Sequence, residues 1–381
     1  MNTLFNFLLL YGMLALYIIP GNIPHTKIFI PLMLGVLGLQ VLSQKVVLSK
    51  IDFLLIVLIS SLAMLFNFNT VRLADAIYAS ILLVVCRKQQ EVDRKYILFF
   101  YFFSLIAIVF QLSVYRFDGS PVLHTGRPNS SGVYMLLFFF FCFKNNLKIG
   151  VLVSIISSFF FLSRGYIFSL VIFFTLWILE IFVSKYISSW KKNFLKLYNQ
   201  FKNYLSFFNL ILILNLALIG FGFYFVNHVN IVYSNGRIQE FSRIFQLQDS
   251  SNFKRFAAND ILIQNLLENP KFLLFGISGR GSDELLQFID SETTAHNSFL
   301  IIVATRGIIF AIVYFIIISI VIKRIGLQNN LKYLLSLCFF SLVLHSIFQG
   351  ATLVLFITTL SLPESMRRIN VVWNYKTVAK I

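Results

Sequence analysis

The sequence predicts an all-α polytopic membrane protein, with about 12 transmembrane helices and one large external loop containing short amphipathic helices. Three observations predict it. Of the 381 residues, 58% are apolar and only 12% are charged, against about 25% charged in soluble domains. Apolar runs recur along nearly the whole length, and backbone that crosses about 30 Å of hydrocarbon satisfies its own hydrogen bonds as helix. Lys and Arg collect in alternate loops, the pattern that orients a multispan chain.

The first run, about 3–19, has no basic segment or small-residue cleavage site of the kind a removed signal peptide needs, so it reads as a retained span. Further runs lie at about 28–43, 51–66, 72–86, 96–114, 131–143, 149–163, 165–184, 207–226, 297–322, 332–345 and 350–363. Several are short for a full crossing, which implies tilted and broken helices. No repeat or low-complexity linker divides the chain, so residues 1–381 read as one integral membrane domain.

With both termini cytoplasmic, the inner segments hold twenty Lys and Arg, among them Lys45, Arg87, Lys88, Lys144, Lys323, Arg324 and Lys332. The short outer turns hold five: Lys27, Arg72, Arg116, Arg127 and Arg164. A net charge of +17 would suggest nucleic acid in a soluble protein; here it follows from membrane orientation, and no nucleic-acid partner is implied. The stretch 185–204, with Trp190, Lys191, Lys192 and Lys196 among aromatic and aliphatic residues, reads as an amphipathic anchor on the inner leaflet lipids. Cys86, Cys142 and Cys338 lie in or beside apolar runs at unrelated spacings and read as small core hydrophobes.

The segment from about 227 to 296 then lies outside and holds eight of the fifteen carboxylates. It is the only sizeable polar surface. All five histidines, His25, His124, His228, His296 and His345, fall at outer span ends or in outer loops; His25 and His345 read as residues that simply tolerate the interface.

Candidate chemistry gathers at that face. His296, in Thr294-Ala295-His296-Asn297-Ser298, sits where the polar loop re-enters an apolar helix, a position for a partly exposed base. Asn297 has two open readings: orienting the imidazole or a sugar hydroxyl, or capping the following helix. Arg164, in Ser163-Arg164-Gly165, interrupts otherwise continuous apolar sequence; it is either a snorkelling turn residue or a cation with a partner or polar cavity. Arg255 opens the stretch 255–267, whose Phe256, Ile261, Leu262, Leu266 and Leu267 suit an amphipathic helix. Pro270 then ends a helix, and Gly276, Gly279 and Gly281 permit tight turns. No Walker lysine, His-Glu-x-x-His or zinc-spaced Cys/His set is present, and nothing calls for a metal.

Taken together, Ser163-Arg164-Gly165, Arg255, Asn269-Pro270, Phe275-Gly276-Ile277-Ser278-Gly279, His296-Asn297 with Leu300, and Arg306-Gly307 resemble the O-antigen ligase and Wzy-type polymerase superfamily. Gly126-Arg127-Pro128-Asn129 looks like that family's Asn-containing outer turn. The resemblance covers roughly residues 120 to 325, and Arg280 departs from it where a neutral residue is expected.

The resemblance implies a GT-C-like fold at the bacterial inner (cytoplasmic) membrane and an inverting transfer without cofactor, metal or nucleotide sugar. Donor and acceptor would be glycans linked to undecaprenyl pyrophosphate, with a separate chain-length regulator as a candidate partner. His296 would deprotonate the acceptor hydroxyl, and Arg164, Arg255 and Arg127 would hold the departing pyrophosphate. Asn129, Asn297, Gly276, Gly279 and Arg280 would contact substrate. Within this reading a repeat-unit polymerase leads, and a ligase acting on lipid A core is the nearest alternative. A transporter or flippase would instead place charges or broken helices near the bilayer midplane.

Overall fold

In the computed structural model, residues 2–19, 26–43, 46, 48–65, 70–117, 119–124, 128–161, 163–186, 207–228, 250–277, 297–326, 330–341 and 347–364 are described. They are almost entirely helical: α1 (Asn2–Tyr17), α2 (Thr26–Leu42), α3 (Lys50–Met64), α4 (Thr70–Val85), α5 (Arg94–Val114), α6 (Pro128–Lys144), α7 (Lys148–Phe161), α8 (Arg164–Tyr186), α9 (Phe207–His228), α10 (Ser250–Glu268), α11 (Pro270–Phe275), α12 (Ser298–Arg306), α13 (Ile308–Arg324), α14 (Leu331–Ser341) and α15 (Gly350–Ser361). A two-stranded antiparallel ribbon, β1 (Arg116–Phe117) and β2 (Ser120–Pro121), joins α5 to α6, pairing Arg116 with Pro121.

Over its described residues each apolar run of the sequence falls on a helix, with one correction. The run 297–322, read as a single span, is broken at Gly307, where a φ of +87° ends α12 and starts α13. Two helical stretches, Arg94–Val114 and Arg164–Phe182, are long and apolar enough to cross a membrane; the other apolar helices are shorter. Their outer faces leave large side chains uncovered, including Phe99, Phe102, Ile106 and Phe110 on α5, Ile149, Leu152 and Phe159 on α7, and Val171 and Ile178 on α8. Water-soluble monomers rarely expose contiguous apolar faces of that kind.

Inside, α6 is buried nearly all round, from Ser131 to Lys144, and carries the central aromatic packing. Phe139, Phe140 and Phe143 pack their rings against Phe173 of α8, with Tyr333 of α14 against Phe140 and Phe173. The three cysteines are free and buried, the small core hydrophobes the sequence suggests.

Polar contacts define two ends of the bundle. At the first, Tyr17 Oη donates to the Tyr134 carbonyl at 2.5 Å, and the Gln111 amide donates to the Tyr17 carbonyl, which brings together the end of α1, the end of α5 and the start of α6. The start of α8 and the end of α14 join them, because a Cβ on Gly132 would meet Tyr166 Cβ at 3.0 Å and Phe340 Cζ at 3.4 Å. At the second end, Asp52 of α3 is held by Arg87 Nη2 at 3.0 Å and Arg324 Nη2 at 2.7 Å. Lys332 of α14 there pairs with Glu180 Oε2 at 2.9 Å and Glu364 Oε1 at 3.0 Å.

Three cations assigned to loops or turns prove to be interior. Lys144 is 1% exposed and donates to Asn330 Oδ1 at 2.9 Å and the Leu360 carbonyl at 2.7 Å, and Lys332 is buried in the pairings just described. Arg72, read as an outer-turn residue, is 1% exposed within α4 and donates to the carbonyls of Leu65 and Phe275. A buried cation is retained where carbonyls and carboxylates replace its hydration, and each of these has found them.

Candidate functional site

The first end of the bundle holds the sequence-predicted polar residues that the described structure brings together. Ser163 precedes α8, and its Oγ lies 3.4 Å from the Tyr166 amide it caps and donates to Asn129 Oδ1 at 2.9 Å. Asn129, in the first turn of α6, is thereby tied to the residue before Arg164, the first of α8. Gly132 permits this approach, since a Cβ there would also sit 3.2 Å from Ser163 Oγ. Arg164 is half-buried at the turn between α7 and α8. Two helix N-termini thus meet, and Arg164 is the first residue of one of them; helix N-termini favour an anion through backbone N–H groups and the helix dipole, and a guanidinium does so through fixed donors.

A third N-terminus belongs to α12. Asn297 Oδ1 accepts from the amides of Phe299 and Leu300, both at 3.0 Å, so the capping role open in the sequence is filled. Its Nδ2 is buried, with no hydrogen-bond partner among the described residues. Ser298 Oγ accepts from the Ile347 amide at 3.4 Å, which fixes the start of α12 against the segment following α14. His296 lies outside the described residues, as do Arg127, Gly279 and Arg280.

Arg255 is half-buried on α10. That helix packs a stripe of Ala258, Leu262 and Leu266 on Leu300, Ile301 and Ala304 of α12, while Ile261 and Leu267 turn outward. Helical spacing of four places the buried three on one face. The helix with Arg255 therefore rests directly on the helix that Asn297 opens.

Gly276 has a structural task. Its φ is +82°, and a Cβ would collide with the Arg306 carbonyl carbon and the Gly307 nitrogen, both at 2.6 Å. Reciprocally, a Cβ on Gly307 would meet the Leu274 carbonyl oxygen at 2.4 Å. Two glycines back to back let α11 press its end into the break between α12 and α13, and Ile277 N donates to the Ala304 carbonyl at 2.8 Å across the joint.

Beside that joint lies a pair the sequence reading missed. Arg306 Nε donates to Asp75 Oδ2 at 3.0 Å, with Nη2 2.9 Å from the same oxygen, and Nη1 donates to Thr305 Oγ1. Asp75 is 3% exposed and Arg306 4%. The available signal was chemical: the sole carboxylate of the run 72–86 and the sole guanidinium of the run 297–322 are expected to find counter-charges. Also missed was Gln111, an isolated amide near the end of an apolar run, whose Oε1 accepts from His124.

No protein-family model, curated protein or solved structure matches this chain. Among the described residues, no group of three His, Cys, Asp or Glu is placed to hold a metal ion.

Proposed function

We propose that this chain is a multispan inner-membrane glycosyltransferase that polymerises repeat units carried on polyprenyl pyrophosphate, acting at the first end of the bundle, which faces outward. The observation that carries the reading is the meeting of Asn129, Ser163 and Arg164 at two helix N-termini, residues from separate motifs that the resemblance joins in one site. An anionic leaving group suits that arrangement, since N-terminal amides and a guanidinium offer donors without reorganisation.

In this reading about twelve apolar helices span the membrane, and α10 and α11 belong to the outer segment. Asn297 caps α12 and follows His296 directly in the chain. His296 takes the proton of the acceptor hydroxyl as its oxygen attacks the anomeric carbon. The carbon–oxygen bond to pyrophosphate breaks on the opposite face, with Arg164, Arg255 and Arg127 receiving the charge. Gly276, Gly279 and Arg280 shape the substrate wall, and no metal or cofactor takes part. A chain-length regulator is a candidate partner.

The test is a deletion strain complemented with the chain or with His296→Ala, its surface glycan resolved on a gel. Core bearing a single repeat in the deletion strain and with His296→Ala, at normal protein abundance, is expected. Bare core with accumulated lipid-linked polymer would assign the ligase reaction instead. Long polymer made by His296→Ala rejects the assignment of the base.

One observation favours a second reading. The helix break at Gly307 beside a buried Asp75–Arg306 pair is the kind of feature that transporters place at substrate sites. Both residues are nearly sealed, however, and are already paired with each other. A transporter would leave lipid-linked repeats on the inner leaflet when deleted, whereas a polymerase leaves them on the outer leaflet.

A further inference from the structure

The histidine whose surroundings the structure defines is His124, which the reaction above does not use. It lies at the first end of the bundle, one residue after Leu123, whose amide donates to Ser131 Oγ at 3.0 Å. Ser131 is two residues from Asn129 on α6, which turns the two side chains to different faces of that helix, so His124 lies at the same end of the bundle as the Asn129–Ser163–Arg164 cluster, across the start of α6 from it. Its ring is half-buried and lies nearly parallel to that of Tyr134, with centroids 6.4 Å apart and an interplanar angle of 15°.

The hydrogen bonds around Gln111 determine which ring nitrogen carries the proton. The His124 backbone N–H, which can only donate, lies 3.1 Å from Gln111 Oε1. The other end of the same amide donates to the Tyr17 carbonyl, which can only accept. Both partners therefore orient the carboxamide the same way, oxygen toward His124. His124 Nδ1 sits 3.0 Å from that oxygen and must donate to it. In the neutral ring Nε2 is then the bare nitrogen, with its lone pair available. It makes no hydrogen bond to any described residue.

We propose that His124 is a second imidazole of the glycan site, and that its Nε2 accepts a hydrogen bond from a sugar hydroxyl of the bound repeat unit. This rests on the glycosyltransferase reading and adds a substrate contact to it. The ligand chemistry follows from the tautomer. A lone pair attracts a hydroxyl donor and repels a phosphate oxygen, and an uncharged amide on Nδ1 gives an imidazolium none of the support a carboxylate would. Partial burial of the ring also disfavours the charged form. His124 is thus suited to position a neutral sugar, not the pyrophosphate, and no proton leaves the hydroxyl it holds.

Two isosteres separate this role from a structural one. Asn at 124 places an amide nitrogen near the Nδ1 position and nothing at Nε2; Gln places its polar end near Nε2 and abandons the Nδ1 bond. The full chain, purified in phospholipid vesicles, is supplied with lipid-linked repeat unit extracted from a strain lacking it. Elongation is then measured against repeat-unit concentration for the wild type, His124→Asn and His124→Gln. We expect His124→Asn to keep wild-type thermal stability and raise KM about tenfold, the value of one hydrogen bond, with His124→Gln closer to wild type. The inference is overturned if His124→Asn elongates with wild-type KM, or if His124→Gln is the worse of the two, since that order belongs to a ring needed only for its bond to Gln111. A wild-type protein that elongates nothing removes the glycosyltransferase reading and this one with it. Elongation by the wild type with an unaltered His124→Asn removes this inference alone.

Discussion

Asp75 and Arg306 carry the largest single-residue consequences in the described structure. Each is almost sealed from solvent, and each is the other's counter-ion. Removing one partner leaves a bare charge, so Arg306→Met should cost about 3–5 kcal/mol, while replacing both by Asp75→Leu with Arg306→Met should recover much of the loss. Thermal unfolding of the detergent-solubilised single and double variants checks this; a double variant no better than Arg306→Met refutes it. His124 gives a pH-dependent counterpart. Burial holds its imidazole below the usual 6.5, and the neighbours named around the ring, Gln111 and Tyr134, are uncharged. Below pH 6.5 the unfolded chain takes up a proton that the folded site still refuses. Stability supplied by the neutral ring is therefore present above 6.5 and is lost as pH falls below it. The wild type and His124→Asn, matched in Tm at pH 7.5, should separate towards pH 5 with the wild type the less stable, and a wild type that gains on His124→Asn as the pH falls contradicts burial of a neutral ring. Individual residues were the least legible part of the sequence. Arg72, Lys144 and Lys332 were assigned to turns and loops because charge alone marks a boundary, but carbonyl and carboxylate partners distant in sequence draw them inside.

At the level of elements, the helix runs were readable because apolar stretches of this length have few alternatives to helix wherever hydrocarbon surrounds them. What the apolar pattern could not show was the break between α12 and α13. Thr305, Arg306 and Gly307 resemble an ordinary polar interruption until α11 is seen to press Gly276 against them. Gly307→Ala should therefore lower the Tm and the membrane abundance of the protein together, because a Cβ meets the Leu274 carbonyl oxygen and the φ of +87° disfavours any side chain. A variant indistinguishable from wild type in both measurements would show that the joint opens freely. The amphipathic stretch 255–267 was likewise anticipated as a helix, but its buried face was not. Ala258 joins Leu262 and Leu266 against α12, and Leu267 faces out, because packing selects one stripe from a sequence apolar on several sides. Of the candidate site, the Asn297 cap and the Ser163–Asn129 contact lie on elements the sequence already outlined, so their approximate positions were legible. Their partners were not, since hydrogen bonds between distant segments leave no local pattern.

Across the whole molecule, opposite ends of the bundle are polar in different ways. One gathers the amide and hydroxyl groups of Gln111, Asn129, Ser163 and Asn297; the other locks Lys and Arg into ion pairs with Asp52, Glu180 and Glu364. In the proposed topology the first end is the outer face. The native cysteines are buried, so Lys271→Cys should react with a membrane-impermeant thiol reagent in cells with a permeabilised outer envelope, and Lys148→Cys should react only after the inner membrane is broken. The reverse order would invert the topology and move the site away from any outer-leaflet glycan. The central claim, glycan polymerisation by His296 without a metal, is tested most directly in vesicles containing the purified full chain and lipid-linked repeat units, with a divalent-cation chelator present. The wild type should build ladders of repeats and release polyprenyl pyrophosphate, and His296→Ala should do neither. Ladders formed by His296→Ala, or a wild type that elongates only when divalent cations are restored, would contradict the account.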